Sequence, residues 1–182
     1  SLAMAAYARE IAKNYPVTVA LHTDHCAKQN LDSWVRPLLE LEAEEVKAGR
    51  LPFFQSHMWD GSAIDLAENL VIAQELLELS QKANTILEVE IGAVGGEEDG
   101  VVGAGEVADP AECSTIASLG IDFLAAGIGN IHGKYPENWP GVRFDVLENV
   151  KAAVGDMPLV LHGGTGIPDE MVKKDRKSTR LN

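Results

Sequence analysis

The sequence predicts an α/β protein in which helices cover a parallel sheet, and three observations support this. Five short apolar segments have the length of buried strands, and their centres recur about every 35 residues. Most of the intervening segments repeat apolar residues at helical spacing. Because apolar strands that alternate with helices are typical of parallel sheets buried on both faces, we expect this class of fold.

The strand predictions rest on short apolar runs that end in polar or glycine-containing segments. The predicted strands are Val17–His22, Phe53–His57, Thr85–Ile91, Phe123–Gly127 and Leu159–His162. Such runs resemble the buried strands of a parallel sheet rather than strands with one wet face, because they do not alternate with polar residues.

The helix predictions rest on apolar spacing and on start and stop signals. The predicted helices are Met4–Tyr15, Leu31–Lys47, Asp65–Ala83, Asp109–Gly120 and Phe144–Val154. Asp65 and Glu68 resemble a capping box. Asp109 and Pro110 form a favourable N-cap and first helical residue.

Two parallel architectures fit this order of elements: an open doubly wound sheet and a closed eight-stranded barrel. A barrel needs about 250 residues, so five strands would be only part of one. We expect residues 1–172 to form this partial barrel. The basic residues 173–182 have no apolar period, and we predict that they are a tail outside the fold; a solvated basic end of the domain is the alternative.

Composition excludes several classes of function. The chain has 182 residues, of which 46% are hydrophobic and 24% charged, as in soluble globular proteins. Its net charge of −13 argues against nucleic-acid partners and against binding to anionic membranes. Two cysteines are too few for a disulfide framework and suit a cytoplasmic location. We expect neither a membrane span nor a signal peptide.

All five histidines lie at or just beyond the carboxyl ends of predicted strands. In parallel α/β proteins these ends form the active face, so the placement predicts a functional site. His25, His132 and His162 follow three different strands and could together hold a catalytic zinc ion with one open position. Each could instead be a polar residue satisfied beneath a loop, and for His22 and His57 we favour that interpretation.

Asp24 and His25 are neighbours, and on a regular strand their side chains would point to opposite faces. Both can reach one centre only if the strand breaks at Asp24.

Asp60 follows the second strand and could orient a ligand histidine, or it could lie near the start of the next helix. Cys26 is better explained as a small buried residue than as a metal ligand.

Two glycine-containing segments contain further candidate site residues. Gly92–Gly105 is rich in glycine and acidic residues, and Glu97 and Glu98 could supply a general base beside a metal; a solvated acidic loop is the alternative. His162–Gly166 presents successive backbone N–H groups before a helix, as in phosphate-binding turns, although a plain tight turn has the same composition.

With these motifs the chain resembles the class II, zinc-dependent fructose-bisphosphate aldolases. The resemblance covers the chain to about Val172 and is carried by five motifs. They are Leu21–Cys26, Phe54–Asp60, Glu88–Gly92 with Gly95–Gly100, Gly129–Gly133 and Leu161–Gly166. It implies a (βα)8 TIM barrel, a homodimer or larger homo-oligomer, and a role in cytoplasmic glycolysis and gluconeogenesis.

The resemblance also implies roles for individual residues. His25, His132 and His162 would hold Zn²⁺, and Glu90 would serve an alternative, more buried metal position. Asp24 would act on the C4 hydroxyl, and Glu98 would exchange the C1 proton of dihydroxyacetone phosphate. The residues implied in binding phosphate and a monovalent cation, K⁺ or Na⁺, are Gly133, Gly163, Gly164 and Thr165.

Three functions follow as alternatives. The first is aldol cleavage of a sugar bisphosphate; the part of the chain through Gly100 resembles the fructose-bisphosphate subgroup, whereas the later part resembles a shorter subgroup that includes tagatose-bisphosphate aldolases. The second is a metal-dependent hydrolase, which would favour a His-x-His pair where this chain has His22–His25. The third is a barrel fragment without catalytic activity, since exposed sheet edges pair with other chains.

Overall fold

A computed structural model describes residues 1–98, 101–103 and 106–179 of the chain. The described helices are α1 Leu2–Ala12, α2 Lys28–Leu31, α3 Val35–Lys47, α4 Leu66–Ala83, α5 Pro110–Ala117, α6 Phe144–Val154 and α7 Asp169–Thr179. The described strands are β1 Ser56–Trp59, β2 Ile86–Ile91, β3 Gly95–Glu98, β4 Val101–Gly103, β5 Phe123–Ala126, β6 Ile131–His132 and β7 Leu159–Val160.

The main sheet contains four strands in the order β1-β2-β5-β7, and every pairing is parallel. Helices connect successive strands and pack on the sheet, where Leu39, Leu76, Leu87, Ile116 and Leu124 are fully buried. The predicted parallel α/β architecture is therefore confirmed. None of the described helices is long and apolar enough to span a membrane.

The predicted helix starts at Asp65 and Asp109 are confirmed by capping hydrogen bonds. The Asp65 carboxylate accepts a 3.0 Å bond from the backbone N–H of Glu68. The Asp109 carboxylate accepts bonds of 2.7 and 3.2 Å from the N–H groups of Ala111 and Glu112. These side chains satisfy donors that have no partner inside the helix.

The first predicted strand, Val17–His22, is wrong as a strand. Residues 17–20 pair with no described strand, and Val17 and Val19 are exposed. Pairing begins only at Leu21, whose carbonyl accepts from Gln55 N at 2.8 Å, and consists of isolated bridges at His22 and Ala27. An apolar run signals a tendency to be buried, but a strand also needs a neighbour for its backbone groups.

The predicted helix Leu31–Lys47 is divided into α2 and α3, with the break at residues 32–34. Pro37 explains the break, because inside a continuous helix it would remove one backbone hydrogen bond and clash with the preceding turn. In the observed structure Pro37 is the third residue of α3. Proline is tolerated there because the first backbone N–H groups of a helix have no acceptor within the helix.

The predicted boundary at residue 173 falls inside α7, which includes the first seven residues of the basic segment. Lys174 Nζ lies 4.0 Å from the centre of the Phe144 ring, and Asp175 is buried. Lys, Arg and Glu favour helices without producing an apolar period, so the sequence pattern did not reveal this helix.

A second sheet forms from the glycine-rich segment that we expected to be a loop. β3 pairs antiparallel with β4 and parallel with β6, with Gly96 opposite His132. Gly96 has φ = +97°, and a Cβ there would lie 2.0 Å from the carbonyl oxygen of His132. Glycine is therefore required for this close approach, which places the segment against His132.

Candidate metal and catalytic site

The candidate site lies beyond the carboxyl ends of the parallel strands. On β2, Glu88 and Glu90 share one face, while Leu87, Val89 and Ile91 face the apolar core on the other. This follows from the alternation of side chains along a strand. Both carboxylates are almost completely buried, with exposures of 3% and 1%. Buried carboxylates need partners, and here histidines from other segments supply them.

The structure brings the three predicted ligand histidines together. The centre of the His25 ring lies 4.8 Å from that of His132 and 4.3 Å from that of His162. The rings of His132 and His162 are 6.1 Å apart. These side chains come from three separate segments, one preceding β1, one in β6 and one following β7, and they converge at a single point.

Asp24 and His25 both face the site because the chain contains an extra residue there. His22 pairs with Ser56 and Ala27 with Asp60, so five residue steps on one side match four on the other. Between the bridges the segment is irregular. Like a β-bulge, the extra residue changes which face the next side chain takes. Asp24 Oδ1 consequently lies 3.9 Å from His25 Nε2, as the predicted strand break requires.

Carboxylates determine which ring nitrogens face the centre. His25 Nδ1 lies 3.2 Å from Asp60 and 3.1 Å from Glu90, and His162 Nε2 donates to Glu88 at 2.7 Å. The nitrogens that remain, His25 Nε2 and His162 Nδ1, face each other at 3.0 Å. Imidazoles held by carboxylates on one nitrogen, with the other aimed at a shared point, are typical of zinc ligands. This donor set fits a divalent metal.

Two overlapping groups of side chains could hold such an ion. Asp24, His25 and His162 form one group, and His25, Asp60 and Glu90 form the other; within each group the ligand atoms lie within 4.8 Å of one another. His25 belongs to both. The second group is the more buried of the two, and it includes Glu90, for which the resemblance implies an alternative metal position.

Burial shapes the protonation of the site. It lowers the pKa of His132, and neighbouring His25 and His162 lower it further. Burial raises the pKa of Glu90, a shift that contact with His25 reduces. Burial opposes ionisation of Asp60, but hydrogen bonds from His25 and Ser62 outweigh it and lower the pKa of this carboxyl. These shifts favour a neutral His132 imidazole and an ionised Asp60 carboxylate, which are the states suited to metal coordination.

The predicted phosphate-binding residues lie next to the histidines. Gly133 follows β6, and Gly163, Gly164 and Thr165 follow β7. Gly163 has φ = +64°, and a Cβ there would lie 2.2 Å from the carbonyl oxygen of Ile131. The two segments therefore approach each other closely at their backbones.

The side chains of Glu97 and Glu98 lie outside the described residues, although the backbone of both belongs to β3. Their predicted roles therefore rest on the sequence and the position of β3 beside β6.

Asp60 interacts with His25 and with the backbone N–H of Ser62, whereas the N-cap of α4 is Asp65. The alternative of Asp60 at the helix start is therefore wrong.

Cys26 is fully buried, as expected of a small core residue, and burial raises its pKa to about 11.

Sequence reasoning did not assign a site role to Glu88, Asn130 or Tyr135. Glu88 had a signal, because two acids spaced two residues apart share one face of an otherwise apolar strand. The Asn130 amide donates to the carbonyl of His162 at 2.9 Å. The Tyr135 hydroxyl accepts from Ile131 N and donates to the carbonyl of Gly163. These two roles depend on tertiary contacts that no local pattern encodes.

The protein-family model described as Fructose-bisphosphate aldolase class-II matches residues 1–179 of this chain. A fructose-bisphosphate aldolase of Corynebacterium glutamicum is 47% identical over 193 residues, which cover 96% of this chain and 56% of that protein. The one of Mycoplasma pneumoniae is 46% identical over 158 residues, covering 87% of this chain and 49% of that protein. The chain thus spans about half the length of these curated relatives.

Solved structures agree with this result. The fructose-bisphosphate aldolase of Campylobacter jejuni aligns with a TM-score of 0.80 and 28% identity over 99% of this chain and 55% of that chain. The YdjI aldolase of Escherichia coli K12 aligns with a TM-score of 0.69 and 26% identity over 98% of this chain and 56% of that chain. The predicted α/β fold, a partial barrel, is confirmed by these neighbours.

Proposed function

The chain belongs to the class II fructose-bisphosphate aldolase family, and from this premise we propose that the whole protein reversibly cleaves fructose 1,6-bisphosphate. The products are dihydroxyacetone phosphate and glyceraldehyde 3-phosphate. The observation that carries the proposal is the convergence of His25, His132 and His162, with His25 and His162 oriented by buried carboxylates. An amidohydrolase-like reaction lacks such support, since the His-x-His pair is absent from the sequence.

Zn²⁺ is the metal we propose for this donor set, held by His25, His132 and His162, with Glu90 beside an alternative position. When bound, zinc supplies a Lewis acid that stabilises the negative charge developing on the substrate oxygens during cleavage. His25 and His162 already point a ring nitrogen toward a common centre. Metal binding therefore costs little conformational entropy at these two side chains, because they are already oriented.

We assign the proton transfer at the C4 hydroxyl to Asp24. Its side chain is 71% exposed yet lies 3.9 Å from His25 Nε2, so it can meet a substrate at the metal. Removing this proton starts cleavage of the C3–C4 bond, and the electron pair remains on the dihydroxyacetone phosphate half. Glu98 is the proposed group that returns a proton to the carbon that keeps this electron pair, which is C3 of the fructose bisphosphate and C1 of dihydroxyacetone phosphate.

The phosphate groups are the proposed ligands of the turns at Gly133 and at Gly163, Gly164 and Thr165. Backbone N–H groups in glycine turns can bind an anion without a basic side chain, which suits a protein with a net charge of −13. A monovalent cation, K⁺ or Na⁺, would offset the charge there. A cytoplasmic homodimer or larger homo-oligomer is the assembly that we propose.

The test is a cleavage assay on the whole protein with fructose 1,6-bisphosphate and tagatose 1,6-bisphosphate offered separately. We expect exhaustive chelation to abolish turnover, Zn²⁺ to restore it, and the fructose epimer to be cleaved faster. Turnover that survives chelation, or a lysine adduct trapped by borohydride, would contradict the metal mechanism. Faster cleavage of the tagatose epimer would reassign the substrate.

A second test isolates the proposed base. We expect Asp24→Asn to lower kcat by roughly 10²- to 10⁴-fold, as is typical of a lost acid–base group, while zinc content stays at the wild-type level. Asp156→Asn is the matched control, because Asp156 is an exposed carboxylate in the loop before β7. Equal kcat values for Asp24→Asn and the wild type would remove Asp24 from the mechanism.

A further inference from the structure

Three buried polar side chains connect α3, β1 and the segment that carries Asp24 and His25. We call Glu42, His57 and Thr23 the Thr23 network. Their exposures are 0%, 0% and 2%. His57 Nε2 lies 2.7 Å from a Glu42 oxygen, and His57 Nδ1 lies 3.1 Å from the Thr23 hydroxyl.

Each polar group of the network has a defined partner. With the ring proton on Nε2, His57 donates to Glu42 and its Nδ1 accepts from the Thr23 hydroxyl. The second Glu42 oxygen accepts from the backbone N–H of Phe54 at 2.8 Å, and the Thr23 oxygen accepts from that of Met58 at 3.3 Å. Burying an imidazole and a carboxylate is costly even when they are paired, so such a network is weak evidence for stability alone.

The position of Thr23 points to a different role. Thr23 N donates to the carbonyl of Ser56 at 3.2 Å, so Thr23 is bonded to β1 through both its backbone and its side chain. It lies between the bridges at His22 and Ala27, in the segment whose five residue steps match the four steps from Ser56 to Asp60. Thr23 is thus fixed to β1 immediately before Asp24 and His25, within the segment that holds the extra residue.

We propose that the Thr23 network is a positioning device, which anchors the irregular segment to β1 so that Asp24 and His25 both face the metal centre. Thr23 faces the helix layer and is held there by His57, which Glu42 fixes in turn. This inference rests on the proposed function, because it concerns the geometry of the proposed base and a proposed ligand.

The experiment compares Thr23→Val with Thr23→Ser in the whole protein. Valine keeps the shape of threonine but removes the bonds to His57 and Met58, whereas serine keeps the hydroxyl. Thr115→Val is the matched control, since the Thr115 hydroxyl donates within its own helix, to the carbonyl of Ala111 at 2.8 Å. The probes are the zinc dissociation constant, measured against a chromophoric chelator, and the visible spectrum of Co²⁺ added to the metal-free protein.

We expect Thr23→Val to raise the zinc dissociation constant by at least about tenfold and to change the Co²⁺ bands. Tenfold is the lower end of the loss of affinity that is typical when a residue that supports a metal ligand is replaced. Thr23→Ser and Thr115→Val should resemble the wild type. If Thr23→Val folds and binds both metals as the wild type does, the proposal is overturned. A lower unfolding temperature with unchanged metal binding would overturn it equally, since the role would then be structural only.

If Thr23→Val does not fold, Glu42→Gln decides the question. Glutamine can still accept from Phe54 N, but its amide reverses the bond to His57, and we expect the same changes in metal binding. Wild-type metal binding by a folded Glu42→Gln protein overturns the proposal. A wild-type protein that binds no zinc, or turns over without metal, contradicts the proposed function instead.

Discussion

Glu88 places a single carboxylate between two histidines. Its Oε1 accepts from His162 Nε2 at 2.7 Å, and its Oε2 lies 3.6 Å from His22 Nε2. The pKa of His22 is lowered by burial, against the opposing effect of Glu88. The Glu88 carboxylate therefore orients the His162 imidazole toward the centre through Oε1. Its other oxygen, Oε2, faces the imidazole of His22.

We predict that Glu88→Gln weakens zinc binding by roughly 10- to 100-fold, as expected when the partner of a metal ligand is lost. The amide cannot hold His162 as strongly as a charged carboxylate does. Competition with a chromophoric chelator measures the dissociation constant. Glu148→Gln, an exposed substitution on α6, is the control. Equal affinities for both variants would show that Glu88 does not orient His162.

Cys113 provides a pH-dependent prediction remote from the site. Burial raises its pKa from 9.0 to about 12, and Asp109 and Glu112 add to the shift. The unfolded chain therefore loses this proton first as the pH rises, so the thiol contributes a fall in the free energy of unfolding between pH 9 and about 12. Replacing Cys113 by alanine should remove this contribution.

Urea unfolding of the wild type and Cys113→Ala at pH 8 and pH 10 is the measurement. We expect the difference in unfolding free energy between the two proteins to change between these pH values, with the wild type losing more. A constant difference would mean that the thiol ionises as readily in the folded protein as in the unfolded one.

At the scale of elements, Tyr135 joins the two segments that follow β5 and β7. Its hydroxyl accepts from Ile131 N at 3.0 Å and donates to the carbonyl of Gly163 at 2.9 Å. Ile131 precedes His132, and Gly163 follows His162. One hydroxyl therefore fixes the distance between the backbones that carry two proposed ligands.

Tyr135→Phe should destabilise the whole protein by up to about 1–3 kcal/mol, the cost of leaving a backbone donor unsatisfied when it is buried, because the Ile131 N–H is part-buried, and it should also weaken zinc binding. The ring contact with Trp139, 4.1 Å between centres, remains. Urea unfolding and chelator competition measure the two effects, and Tyr7→Phe at an exposed position is the control. A loss of stability without a loss of affinity would limit Tyr135 to a structural role.

Elements whose signals are local could be predicted, and those that depend on neighbours could not. Asp65 and Asp109 mark helix starts by bonds within one turn, so their positions were correct. Val17–His22 had the right composition for a strand, but its pairing depends on other segments. The pairing of β3 with β6 joins residues far apart in sequence, and the glycine at position 96 permits its close approach.

At the scale of the whole molecule, the proposed metal joins distant parts of the chain. His25 and His162 are 137 residues apart yet meet at 3.0 Å. An ion that binds these side chains only in the folded state stabilises that state by mass action. The histidines could be predicted as a group because parallel strands all end on one face, whereas the carboxylate that each one contacts depends on packing.

We therefore predict that removing the metal lowers the unfolding temperature of the whole protein. At a free Zn²⁺ concentration 100 times the dissociation constant, the expected stabilisation is about 2.7 kcal/mol. Thermal unfolding followed by circular dichroism, with chelator and then with Zn²⁺ restored, measures it. Mg²⁺ serves as the control, since it prefers oxygen ligands. An unfolding temperature independent of Zn²⁺ would argue against a shared metal centre.

The unequal spacing between His22–Ala27 and Ser56–Asp60 has a consequence for how this region can vary. Side chains alternate along an extended chain, so every residue beyond an insertion or deletion of one position exchanges inward for outward. Substitutions here change chemistry at a single point, but a change in length rotates a whole run of residues away from the reaction. We expect the insertion or deletion of one residue in this stretch to displace Asp24 and His25 together.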